Sequence, residues 1–180
     1  MIFLQIILGL FLLGFIFWIC SHLYSTIFYV PYVNSSKQAI GDALKFSGLK
    51  KGDIFVDLGS GNGSVVILAN KKFGAKAFGF EISPFPYLLS KIKIFLSGAK
   101  DIQIFRANFQ WAGKYLKRAD VVYLYLLNSV LEKNEKWIFD NVSAKTRIIT
   151  LAFKFKNHKP KGTIKTTNLG RKTKIFLYGK

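Results

Sequence analysis

Acidic residues are scarce in this chain: nine Asp and Glu stand against 27 Lys and Arg in 180 residues, a net charge of +18. The segment 154–180 takes this furthest, with nine Lys and Arg and no acid. Such a surface can attract anionic lipid headgroups or nucleic acid. The chain is equally rich in Ile, Phe and Asn, so most of the lysines read as compositional bias, and nucleic acid is not the expected partner. Cysteine occurs once, at Cys20, which excludes a disulfide within the chain. The residues before it are Phe-Trp-Ile, not the small residues of a lipoprotein cleavage site. Histidine occurs twice, at His22 and His158, without cysteine or paired carboxylates nearby in sequence. No metal site is expected, and each histidine reads as a surface or interfacial residue.

Charge is absent altogether from the first 36 residues. From Ile2 to Cys20 only Gln5 and the cysteine interrupt apolar or glycine character. A helix of that length spans roughly 28 Å, about the hydrocarbon thickness of a bilayer. Trp18, Tyr24, Tyr29 and Tyr32 follow as an interfacial aromatic belt would. A cleaved signal peptide fits less well, because a positive n-region and a small-x-small site are both missing. The expectation is a single-pass anchor over 1–29 and one soluble domain over 30–180. All Lys and Arg lie C-terminal to the anchor, which places that domain in the cytoplasm by the positive-inside rule.

The domain reads as alternating strands and helices. Asn34-Ser35-Ser36 supplies cap chemistry for a helix over Lys37 to Ser47. Strands are expected over Asp53 to Leu58, Ala75 to Glu81, Asp101 to Arg106, Asp120 to Leu127 and Thr146 to Phe155. Helices are expected from Ser64 to Phe73, from Pro84 to Ser97 and from Ser129 to Asn141. Two short strands, near 163–167 and 173–178, flank the turn Asn168-Leu169-Gly170. The alternation implies an α/β fold with a parallel sheet, and the final hairpin adds antiparallel strands at its edge.

The stretch FVDLGSGNGSVV at 55–66 places three glycines, Gly59, Gly61 and Gly63, after the first strand. A triphosphate loop needs Lys-Ser/Thr after its last glycine, and Ser64-Val65 stand there instead. The dinucleotide fingerprint G-x-G-x-x-G puts its third glycine at position 64, one place later than Gly63. Asp57 is also a poor neighbour for a pyrophosphate. S-adenosylmethionine carries a sulfonium, an amino group and a ribose diol, so acids suit it. Asp57 ends the first strand and Glu81 the second, both at the sheet edge where ligands of open α/β folds bind. A second role for Asp57 is to accept from the loop's own amides.

FVDLGSGNG followed by GFEIS resembles motif I and the acidic loop of class I S-adenosylmethionine-dependent methyltransferases. VPYV at 30–33, RANF at 106–109, ADVVYLYLLNSVLEKNEKWIF, TRIITLAFKF and TKIFLYGK extend the likeness. Together they resemble the archaeal broad-specificity protein lysine methyltransferases. They are similar also to the mitochondrial lysine methyltransferases acting on the adenine nucleotide carrier and the ATP synthase c-subunit. The resemblance implies a Rossmann-like, seven-stranded, mostly parallel sheet with a C-terminal antiparallel hairpin.

It also implies residue roles. Asp57, Gly59, Ser60, Gly61, Asn62 and Gly63 would hold the cofactor's methionine side. Glu81 would hold the ribose with Ile82 beside it, and Asn108 and Phe109 would lie by the adenine. Pro31, Tyr32, Tyr125 and Asn128 would border the acceptor site, although Tyr32 and Tyr125 could equally be packing aromatics. Asn62 replaces the commoner Asp of the loop. Ala152 stands where the archaeal relatives have an acid, which puts a carboxylate role in orienting the acceptor in doubt.

The implied reaction is in-line methyl transfer to a lysine nitrogen of a protein substrate, with a membrane protein as one such substrate. The sulfonium is already activated, so neither a metal nor a strong base is needed. Competing expectations are a small or lipid acceptor arriving from the bilayer, RNA, or a membrane-tethered module that binds the cofactor without activity.

Overall fold

The computed structural model describes residues 2–28 and 34–180. Pro31 and Tyr32 therefore lie outside the described residues, as does the VPYV segment. Of the expected belt aromatics only Trp18 has a described side chain.

Helix α1 spans Ile2–Phe28. Its Ile2–Ser21 stretch is long and apolar enough to cross a membrane, and its apolar residues stay unburied, with Ser21 at its end buried against the domain. Helix α2, Lys37–Phe46, starts at Ser36, whose Oγ accepts from the Ala39 amide at 3.1 Å. Then come β1 (Ile54–Leu58), α3 (Ser64–Phe73), β2 (Lys76–Glu81), α4 (Pro84–Ser97) and β3 (Ile102–Arg106). A 3-10 turn at Phe109–Ala112 and the single-turn helix α5, Gly113–Leu116, lead into β4, Val121–Leu124. Helix α6 (Asn128–Asn141), β5 (Arg147–Leu151), β6 (Gly162–Asn168) and β7 (Arg171–Gly179) complete the chain.

The seven strands form one sheet in the order β3-β2-β1-β4-β5-β7-β6. The first five are mutually parallel, and β7 runs antiparallel to both β5 and β6. The β6–β7 hairpin closes through Leu169 and Gly170, both at positive φ (48° and 78°), as a tight primed turn requires.

Successive residues of the central strands feed opposite cores. Phe55, Tyr123 and Ile149 pack with α2 and α3, while Val56, Val122 and Ile148 pack with α6. A strand buried on both faces is largely apolar, which is why β4 reads as an unbroken run and why the buried polar residues Asp57 in β1 and Thr150 in β5 stand out.

Two strands stop earlier than their apolar runs. β4 ends at Leu124, not Leu127, and β5 at Leu151, not Phe155. In β4 the cause is burial outside the sheet: Leu126 stays buried, its side chain lying over Gly59. In β5 Ala152 takes a left-handed φ of 68°, and Thr150 Oγ1 donates to the Phe153 carbonyl at 2.6 Å. The chain thereby leaves the ladder although its side chains remain hydrophobic.

Candidate active site

Sheet order reverses direction between β1 and β4, and this crevice is where open α/β sheets bind ligands. A small pocket open to solvent lies there. Its lining comes from Asn34 and Ser35 before α2, from Asp57 and the glycine loop, and from Tyr123 and Tyr125 at the end of β4.

The floor is a row of cross-strand neighbours. Asp57 pairs with Gly79 of β2 on one side and with Tyr123 of β4 on the other. Asp57 and Tyr123 are almost wholly buried. Asp57 Oδ2, Ser60 Oγ and Tyr123 OH find no hydrogen-bond partner. Three orphaned polar atoms at one pocket are unusual, since a buried unsatisfied polar group costs about 1–3 kcal/mol. Burial holds the Asp57 carboxyl well above the usual carboxylate range, and the neighbouring Glu81 pushes it further up. Burial also raises the Tyr123 phenol; the Ser35 side chain lies near enough to lower it but makes no hydrogen bond of good geometry with it.

The second role considered for Asp57, accepting from the loop amides, belongs instead to Glu81. Its Oε2 accepts from Gly61 N at 2.8 Å and its Oε1 from Ser83 N at 2.7 Å. Burial raises the Glu81 carboxyl and these amides pull it back down. Ile82 follows at the strand's end, half-buried, and its backbone also steadies the Glu81 carboxylate.

Glycine is needed in the loop for two reasons. Gly59, Gly61 and Gly63 have φ of 92°, 53° and 78°, the left-handed region that side chains rarely adopt. A Cβ on Gly59 would also meet Leu126 Cδ2 at 2.9 Å, so the backbone packs directly beneath the β4 exit. Asn62 now has a physical account. Its Oδ1 accepts from Ser64 N (3.1 Å) and Ser64 Oγ (2.7 Å), which caps the start of α3. Its Nδ2 donates to Asn34 Oδ1 at 3.1 Å and so ties the loop to the pocket's N-terminal wall. An ionised aspartate could cap but could not donate.

Some contributors were not foreseen. Tyr123 had the signature of a core residue, an aromatic within an apolar run. Gly79 sits mid-strand, and a Cβ there would lie 2.7 Å from Ser60 Oγ. Gly79→Ala should therefore displace Ser60, weaken cofactor binding by about tenfold and lower stability by ~1–3 kcal/mol; titration calorimetry and thermal melts would check both. Asn168, at the tip of the β6–β7 hairpin, accepts from Ser36 N at 2.7 Å and donates to Tyr125 OH at 3.3 Å. It holds two pocket walls together across 132 residues of sequence. Only the turn around it was legible in the sequence.

The remaining expected residues are more peripheral. Tyr125 lines the pocket and stacks on Phe153 with ring centroids 6.5 Å apart. Asn108 caps the 3-10 turn through Gln110 N at 3.0 Å, and Phe109 leans on Trp137. Asn128 is exposed at the first turn of α6 and does not line the pocket.

The donor set fits S-adenosylmethionine. A buried, unpaired carboxylate suits a cationic ligand, two orphaned hydroxyls suit its polar tail, and the glycine loop admits close backbone approach. Sheet order and site together define an S-adenosylmethionine-dependent methyltransferase of the Rossmann-like class. Residues 57–162 match the family described as "ANTKMT methyltransferase domain", and the chain belongs to that family. It is similar to a protein-lysine N-methyltransferase of Saccharolobus islandicus, at 28% identity over 83% of this chain and 93% of that protein. It is 28% identical to the ATP synthase c-subunit lysine N-methyltransferase of Xenopus laevis over 73% of this chain. That match spans 57% of the frog protein, a little over half its length. Among solved structures, an RNA methyltransferase from Salinibacter ruber in complex with S-adenosyl-L-homocysteine superposes with a TM-score of 0.72 and 26% identity, over 82% of this chain and 93% of that one.

Proposed function

We propose that this chain transfers methyl groups to lysine side chains of proteins at the cytoplasmic face of a membrane, with residues 1–29 as its single-pass anchor and 30–180 as the catalytic domain. The observation that carries the reading is the orphaned trio Asp57, Ser60 and Tyr123 in a pocket at the switch point, in a chain whose relatives are named for lysine N-methylation. The anchor is supported by the charge-free helix α1, whose apolar residues are unburied.

When bound, S-adenosylmethionine supplies a methyl group already activated on a sulfonium. The protein's task is to align and to exclude water. Asp57 would counter the cofactor's positive charge, and Ser60 Oγ and Tyr123 OH would bond its polar atoms. Glu81 keeps the loop closed through Gly61 N and would hold the ribose. Asn108 and Phe109 would lie by the adenine. On the acceptor side Tyr125, fixed by Asn168, would present a hydroxyl oxygen that orients an amine; Tyr32 and Asn128 are assigned to that side by the resemblance alone. A lysine amine must be neutral to attack, which costs about 4–5 kcal/mol at pH 7 in water. Desolvation in the pocket mouth and the neighbouring cationic charge lower that cost, so no dedicated base is assigned.

A second reading, methylation of RNA, draws on the Salinibacter ruber neighbour and the net charge of +18. Incubation of the full chain with tritiated S-adenosylmethionine and a membrane-containing extract separates the two. Label in the protein fraction is expected. Label confined to RNA, or to extracted lipid, would overturn the lysine reading.

A further inference from the structure

Helix α4 has two apolar faces. One is in the core: Pro86 and Ser90 are buried, and Tyr87 and Ile94 pack against the α2–α3 cluster. The other is uncovered: Leu88, Ile92, Phe95 and Leu96 are 49%, 48%, 85% and 76% exposed. Their spacing of i, i+4, i+7 and i+8 puts them in one stripe along the helix. Lys91 lies exposed on one flank by helical spacing, Lys93 on the other flank turns its Nζ toward Ser64 Oγ of α3 at 3.5 Å, and α4 contains no acid. A soluble domain has no reason to hold two phenylalanine- and leucine-sized side chains almost fully in water on one face.

The stripe's N-terminal end is where α1 arrives. Phe85 begins it, and the Phe17 ring meets the Phe85 ring at 6.3 Å. Ser21 Oγ accepts from Phe85 N at 2.9 Å. The helix apolar enough to cross a bilayer is thus fastened directly to the helix carrying the stripe.

We propose that α4 is a second membrane element, lying in the bilayer interface with Leu88, Ile92, Phe95 and Leu96 among the acyl chains and Lys91 at the headgroups. Aromatic and aliphatic side chains on one face with a lysine at its margin are the chemistry of an in-plane interfacial helix. Lys91 favours anionic lipid and can extend its stem along the apolar surface. Anchoring at two points fixes the domain's orientation, where a single flexible tether would let it tumble. The inference rests on α1 being a membrane anchor.

Site-specific fluorophores on the full chain, in a Cys20→Ser background, test it in phosphatidylcholine–phosphatidylserine vesicles that carry lipid-borne quenchers. Labels are placed at Phe95→Cys, at Phe11→Cys in α1 and at Lys133→Cys on the exposed side of α6. Labels at 11 and 95 are expected to be quenched, the latter roughly twofold or more, and the label at 133 to be unaffected. Quenching at 11 without quenching at 95 overturns the interfacial role of α4 and leaves the anchor standing. No quenching at either position overturns both. Position 95 cross-linking to a second copy while shielded from the quencher would make the stripe a dimer contact and also overturn the proposal. Equal quenching at 95 and 133 would show unspecific adsorption and do the same.

Discussion

Asp57→Asn is expected to lower methyl transfer about 100-fold or more, a loss of ~3 kcal/mol, because it removes the buried charge facing a cationic ligand. The fold should not suffer. In the ligand-free protein Asp57 Oδ2 has no partner, and burial holds its carboxyl well above the usual range. The sign follows from proton linkage. The folded state holds this proton more tightly than the unfolded chain, where an aspartate titrates near ~3.9. Stability from this group is therefore present in acid and is lost as pH rises through the folded value. Asparagine, which does not titrate, removes that loss. The variant should melt at or above the wild-type temperature at neutral pH, and the wild-type deficit should shrink on acidification. Ligand binding has the opposite slope: a cation prefers the ionised carboxylate, so cofactor affinity should rise with pH in wild type and be weak and pH-insensitive in the variant. Calorimetric titrations at several pH values, with melts on the same samples, would check both slopes. A variant that binds normally would remove Asp57 from the site.

Glu135→Ala is expected to do the reverse, costing stability while sparing the chemistry. Glu135 projects from α6 and is only 2% exposed. It accepts from the amides of Lys156, Asn157 and His158 at 3.2, 2.9 and 2.9 Å, from Asn157 Nδ2 at 3.1 Å, and from His158 Nδ1 at 2.7 Å. The His158 ring lies flat on Phe139 at 3.5 Å. This one carboxylate thus fixes the chain after β5 against α6, and the histidine expected at the surface turns out to be one of its partners. Burial raises the Glu135 carboxyl, but the His158 bond and the backbone amides outweigh it and the net shift is downward. Truncation should cost roughly 2–4 kcal/mol, moderated by water reaching the freed amides, and so lower the melting temperature by about 5–15 °C. A depressed carboxylate stabilises above its unfolded value and loses that contribution as pH falls through its folded value. Wild type should therefore be the more acid-sensitive of the two in relative terms. Denaturant melts across the acid range would check the stability difference, and turnover of the folded fraction should be unchanged at neutral pH.

The contrast between these two acids bears on how much the sequence reveals. Asp57 and Glu81 were legible because motif and strand end coincide: a carboxylate closing an apolar run beside a glycine loop has few structural uses. Glu135 carries no such mark, because its partners lie 21 to 23 residues away and are mostly backbone amides. The sheet was legible from apolar runs and turn residues, down to the hairpin around Leu169-Gly170. Its ends were not, since burial and pairing separate there: Leu126 is as buried as a strand residue yet packs over Gly59 outside the ladder. The short helical turns at 109–116 lacked a periodic stretch long enough to announce them. Asn62 looked anomalous in its motif, and its reason became visible only with Asn34 beside it. Tyr123 and Asn168 illustrate the same limit, each an ordinary residue whose neighbours decide its role.

The most direct measurement is tandem mass spectrometry of membrane proteins incubated with the full chain and methyl-deuterated S-adenosylmethionine. Labelled methyl groups on lysine nitrogen are expected with wild type and at about 100-fold lower level with Asp57→Asn. Label on other residues only, or equal lysine labelling by both proteins, would contradict the account.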